Sequence, residues 1–101
     1  MDLLMNALLH LKSEDQAYRF FEDLCTVAEL RSMAQRLHVA VMLRKGETYQ
    51  EIAGKTGAST ATISRVNRCL LYGQDGYAEV LQSLEETGYL QDIESREVDK
   101  T

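Results

Sequence analysis

The sequence predicts an all-α fold, and three observations carry that prediction. The 101-residue chain has no Pro, no Trp and only six Gly, and its abundant Leu, Ala, Glu and Arg favour helix. Apolar residues recur at helical spacing over several stretches. Side-chain caps then cut the chain into segments of ordinary helix length. At this length the chain is one domain with a modest core and little to spare.

The elements follow in order. Residues 2–11, DLLMNALLHL, read as a short helix that is apolar almost all round, and such a helix must be covered on several sides. Ser13 followed by Gln16 forms a capping box that opens a second helix over about 14–25, with Ala17, Phe21 and Leu24 on one face. Thr26 followed by Glu29 opens a long third helix over about 27–45, closed by Lys45 and Gly46. Leu30, Met33, Ala34, Leu37 and Val41 form one stripe on it, and the run from Val39 to Leu43 is apolar throughout. This is the expected central core helix. Thr48 starts a fourth helix to about Lys55, and Ser59 or Thr60 caps a fifth that runs to about Tyr72. Past Gly73 and Gly76 a last helix runs from about Tyr77 to Gly88, with Val80, Leu81 and Leu84 inward. Residues 89–101 are charged with sparse apolar positions and predict a frayed tail or weak helix.

Residues 51–70, EIAGKTGASTATISRVNRCL, meet the packing demands of a helix-turn-helix. Ala53 is small enough for a second helix to cross closely, and Gly57 supplies the backbone freedom for a turn of three or four residues. Ile52, Ile63 and Val66 make the inner seam. Thr60, Ala61, Ser64, Arg65 and Arg68 are left outward on the second helix, residue types that reach base edges and phosphates in a major groove. Ser59, Thr60, Ala61 and Thr62 count through position, because N–H groups and hydroxyls at a helix start can meet phosphate. Thr62 has the alternative of bonding back within the first turn. Arg68 and Lys55 read as phosphate contacts or as solvated charges. Arg65 reads as a base or phosphate contact, a ligand clamp or a solvated arginine.

The net charge of −5 opposes nucleic-acid binding until it is divided along the chain. Residues 1–30 carry −4 and residues 73–101 carry −6. Residues 31–72 carry +5, from Arg31, Arg36, Arg44, Lys45, Lys55, Arg65 and Arg68 against Glu47 and Glu51. Positive charge is thus confined to the helix-turn-helix and the helix that feeds it, as phosphate contact requires. Other function classes fare worse. His10 and His38 lack an orienting Asp or Cys, and no phosphate loop, metal-ligand cluster or nucleophile signature occurs, so the chain does not read as an enzyme. Its apolar runs are too short to span a bilayer, and nothing resembles a signal peptide. Cys25 and Cys69 lack metal-ligand spacing and read as small core hydrophobes in a reducing cytoplasm.

The segments RKGETYQEIA (Arg44 to Ala53) and GASTATISR (Gly57 to Arg65) resemble the Trp repressor family, most closely its YerC/YecD-type members. The resemblance is good from Thr26 to about Leu71, and the order of helices extends it over nearly all of the chain. It implies a six-helix, intertwined homodimer that binds a double-stranded DNA operator. The implied division is a dimerisation core over 1–47, the helix-turn-helix over 48–72, a C-terminal helix over 73–88 and an acidic tail over 89–101. Two arginines of that family sandwich the indole of bound L-tryptophan, and Arg36 and Arg65 fall at the matching positions. A pocket-lining threonine matches Thr26, and a serine further along the second helix matches Cys69. The glycine after the second arginine is Val66 here, and its two methyls fill space beside the ligand. The resemblance therefore implies a small-molecule corepressor site whose ligand is not L-tryptophan. The rival reading is a helical dimeric protein-interaction module whose helix-turn-helix is vestigial.

Overall fold

The structure, a computed structural model, describes residues 1–90, which form six helices and no strand. These are α1 (Asp2–Leu9), α2 (Glu14–Leu24), α3 (Val27–Arg44), α4 (Tyr49–Thr56), α5 (Thr60–Tyr72) and α6 (Gly76–Glu86). All-α is therefore the fold class, and each helix lies within about two residues of its expected span. The tail expected over 89–101 lies outside the described residues, apart from Tyr89 and a buried Leu90.

Caps set these boundaries. Thr26 Oγ1 accepts the Glu29 N–H at 3.1 Å while Glu29 Oε1 accepts the Thr26 N–H at 2.8 Å. Thr48 and Glu51 repeat the exchange at 3.1 and 3.0 Å at the start of α4. The α2 cap departs from the expected pattern. Ser13 Oγ accepts the Gln16 N–H, but the Gln16 side chain reaches one residue further back, to the Lys12 N–H. Gly46 leaves α3 at φ +84°, a conformation that disfavours any residue with a Cβ.

The two boxed carboxylates carry a pH prediction. Backbone N–H donation from Thr26, then its hydroxyl, lowers the Glu29 pKa below the ordinary carboxylate value, and Thr48 does the same for Glu51. A pKa lowered by folding contributes stability above the unfolded value, and that stability is lost as pH falls through the folded one. Thermal unfolding followed between neutral and about pH 3 should show this loss, and Thr48→Ala should flatten it. At neutral pH the same variant should be destabilised by about 1 kcal/mol, the usual effect of losing a cap. A pH profile unchanged in Thr48→Ala would rule out the box as the cause.

The chain divides into two compact units, Met1–Met33 and the part from Ala34 onward. In the first unit, α1 and α2 bury no side chain completely. Leu3 and Leu9 are 84% and 82% exposed. Phe20 and Phe21 meet edge to face with centroids 5.7 Å apart.

The second unit holds the core. Val39, Ala40 and Met42 of α3, Ile52 of α4, Ala58 of the turn, Ile63 and Val66 of α5 and Leu81 of α6 pack together. Val41, Leu43, Ala53, Leu70, Tyr77 and Leu84 pack partly buried against them. The expected seam of Ile52, Ala53, Ile63 and Val66 is therefore assembled. Val80 is not inward as expected but 53% exposed. Tyr77, Leu81 and Leu84 form the inner stripe of α6 at helical spacing, and Val80 falls on its flank. Arg44 ends α3 against α6, with Nε 2.8 Å from Glu85 Oε1 and Nη1 donating to the Ala78 carbonyl at 3.5 Å. Neither cysteine is a fully buried core residue. Cys25 is half-buried, Cys69 is exposed, and both are free thiols. No helix among the described residues is long and apolar enough to cross a membrane.

Candidate nucleic-acid interface

Residues 48–72 build the site. α4 ends at Gly57, which sits at φ +72° in the left-handed region, and no Cβ could be added there without strain. Ser59 then caps α5, its hydroxyl accepting the Thr62 N–H at 3.1 Å and donating to Thr62 Oγ1 at 3.1 Å. Both hydroxyls are thus engaged within the first turn, the alternative open for Thr62. A helix start leaves its first N–H groups without an intrahelical partner. With the Thr62 N–H taken by the cap, those of Thr60 and Ala61 remain to meet an outside acceptor.

The rest of the α5 surface follows from its buried seam. Ile63 and Val66 are inside the core, while Thr60, Ala61, Arg65 and Arg68 are exposed and Ser64 is half-buried. Ser64 and Arg68, four residues apart, share a face, and so do Arg65 and Cys69. The exposed side of α5 is therefore small and hydroxylated at its start and cationic from its second turn. That gradient suits a helix whose N-terminal end approaches bases and whose flank meets phosphate.

The cations of residues 31–72 are not all directed there. Arg44 is spent on Glu85. Lys55 Nζ lies 2.6 Å from Glu47 Oε1, and its charge also acts on Glu51. Two carboxylates therefore offset the cation on α4, which sequence spacing did not reveal. On α5 itself the positive charge comes from Arg65 and Arg68, and the helix carries no acidic residue.

The effector candidates are distributed over both units. Thr26, in the first unit, is occupied as the α3 cap with Glu29. Arg36 is half-buried on α3, and Arg65 and Cys69 lie on α5, all three in the second unit. Val66, 1% exposed, fills core volume beside Ile63. Among the described residues no cluster of His, Cys, Asp or Glu could hold a metal ion.

Two residues with a structural claim on this region escaped the sequence reading. The Gln35 side-chain amide donates to the Thr56 carbonyl at 3.1 Å. Thr56 Oγ1 in turn donates to the Ile52 carbonyl at 2.7 Å and accepts the Ala58 N–H at 3.1 Å. A Gln on a helix face carries no periodic signal, and only the fold shows its target.

The Trp repressor protein family profile matches residues 1–85. The chain belongs to the Trp repressor family. That makes it, in general terms, a DNA-binding regulator of a non-enzymatic family. It is 58% identical over 87 residues to the uncharacterized protein YerC of Bacillus subtilis (strain 168), covering 86% of this chain and 84% of that one. It is 36% identical over 81 residues to a Trp operon repressor homolog of Chlamydia trachomatis serovar L2, covering 75% and 86%. Among solved structures it is similar to a TrpR like protein from Eubacterium eligens ATCC 27750, with TM-score 0.81 and 58% identity over 83% of this chain and 87% of that one. Members of the Trp repressor family thus share both the sequence and the helical arrangement described above.

Proposed function

We propose that this protein is a cytoplasmic, homodimeric repressor that reads a double-stranded DNA operator with α5 in the major groove. The observation that carries the reading is the exposed face of α5. Thr60, Ala61 and Ser64 lead it, Arg65 and Arg68 follow, and all are held against a fully buried Ile63–Val66 seam. In this reading α4 and α5 are the helix-turn-helix, and Lys55, Ser59 and Thr62 contribute at its edges. A two-fold dimer of such motifs, the Trp repressor being one of the class, meets half-sites one helical turn apart, about 34 Å. Selection from random duplexes, with cell extract as an effector source, should therefore enrich a symmetric motif. Arg68→Ala should weaken binding to all sequences alike and reduce the salt slope by about one. Lys55→Ala should do the same to a smaller extent, because Glu47 already offsets that charge. Selection without a symmetric motif would refute operator binding, and affinity independent of salt would favour the protein-interaction module.

The proposed effector is a small molecule other than L-tryptophan, held between Arg36 and Arg65 with Cys69 at the periphery. Guanidinium groups that share a cleft favour a carboxylate or flat π-system between them. Val66 occupies the position of the family's glycine, and over-filling a close-packed site costs about 1–3 kcal/mol, or about ten- to a hundredfold in affinity. Calorimetry should accordingly find no micromolar L-tryptophan binding. Arg36→Ala should abolish whatever increase in operator affinity the extract provides, by linkage between the two sites. Micromolar L-tryptophan binding would refute the exclusion, and an unchanged effector response in Arg36→Ala would refute the pocket.

A further inference from the structure

The bonds converging on Thr56 separate into two kinds. Its hydroxyl joins the Ile52 carbonyl to the Ala58 N–H, and the Gly57 N–H returns to the Ala53 carbonyl at 2.9 Å. These are local, confined to residues 52–58, and they fix the shape of the turn. The bond from Gln35 is different, because it crosses 21 positions from α3 to a half-buried carbonyl in the last turn of α4. The final carbonyls of a helix have no intrahelical partner, and a partly buried one left unmet is unfavourable by more than the net worth of a hydrogen bond. Local bonds fix how the turn bends. The Gln35 bond fixes where it sits on α3.

We infer that Gln35 is a positioning residue, a strut from α3 that holds the α4–α5 turn through the Thr56 carbonyl and so sets the aim of α5. α5 begins at Thr60, two residues past Ala58, so a shift of the turn passes directly to the end of α5 that carries Thr60 and Ala61. The adjoining part of α3 (Val39, Ala40 and Met42) is core and gives the strut a rigid base. The aiming role rests on the DNA-binding reading above; the strut itself does not.

The test uses the full-length protein and two substitutions. Gln35→Met keeps the side-chain length and removes the donor, and Gln35→Glu keeps the shape and sets a carboxylate against the carbonyl. Amide hydrogen exchange is read at Gly57 and Ala58. Affinity is measured for the duplex enriched by selection and for an unrelated duplex of equal length. Both variants should speed exchange at Ala58 by about tenfold, as local opening becomes easier. They should lose about tenfold in affinity for the selected duplex, the scale of one misread base pair, and little for the unrelated one. Thr56→Val, which keeps the carbonyl and removes the hydroxyl bonds, should speed exchange while leaving the Gln35 bond in place. Unchanged exchange in both Gln35 variants would overturn the strut. Equal loss on the two duplexes would overturn the aiming role, since a merely structural effect lowers active protein without preference. If the wild type enriches no duplex, the DNA-binding reading falls and the aiming role with it, while the exchange result still decides the strut.

Discussion

Ile63→Ala is expected to destabilise the protein by about 2–5 kcal/mol, the range seen when a buried Ile or Leu is cut to Ala. Ile63 is fully buried and packs in one cluster with Val39, Ile52, Val66 and Leu81. Those partners come from α3, α4, α5 and α6, so no single helix can move to close the cavity. Domains of this kind are stable by about 5–15 kcal/mol in total, and the substitution removes a large part of that margin. Ala61 provides the control. It lies two positions away on the exposed face of α5, and Ala61→Ser should change stability by less than about 0.5 kcal/mol. Urea unfolding at fixed protein concentration measures both. A loss below about 1 kcal/mol for Ile63→Ala would mean that α5 does not lie against the core as described. DNA affinity should separate the same pair in the opposite sense, with Ala61 variants affecting recognition at near-normal stability.

What the sequence revealed, and what it concealed, follows from the range of the interactions. Helix boundaries were legible because Ser13, Thr26, Thr48 and Ser59 act on N–H groups three residues away. The inner seam was legible because Ile52, Ala53, Ile63 and Val66 obey helical spacing around a glycine turn. Val80 was misplaced because several apolar residues compete for one face of α6, and tertiary packing chose Tyr77, Leu81 and Leu84. Charge was read correctly in total and incompletely in place. The pairing of Lys55 with Glu47 crosses eight positions and the loop after Gly46, and that of Arg44 with Glu85 crosses most of the second unit. Neither separation has a repeat that a sequence could display. Gln35 was missed on the same ground. The outward face of α5 was legible by subtraction, once its buried positions were known.

The largest effect is expected at the opposite end of the chain. Removing residues 1–11 should leave a chain that aggregates or fails to fold, and the intact protein should unfold at a temperature that depends on its concentration. The reason is the imbalance between the two units. The second buries Val39, Ile52, Ile63, Val66 and Leu81 fully, whereas α1 and α2 bury nothing fully. Leu3, Leu9, Leu24 and Val27 of the first unit are all more than half exposed. Apolar side chains left open to water are unfavourable by about 25 cal/mol for each Å² uncovered, and their accumulation on two helices that bury nothing fully points to an association site. A second copy of the chain is the proposed cover. In a dimer that folds only on association, each tenfold dilution lowers apparent stability by about 1.4 kcal/mol. Sedimentation across micromolar concentrations, with thermal unfolding at each, tests this directly. A folded monomer with a concentration-independent transition would refute the dimer. It would also remove the two-fold axis on which a symmetric operator depends, so this measurement should precede any selection of DNA.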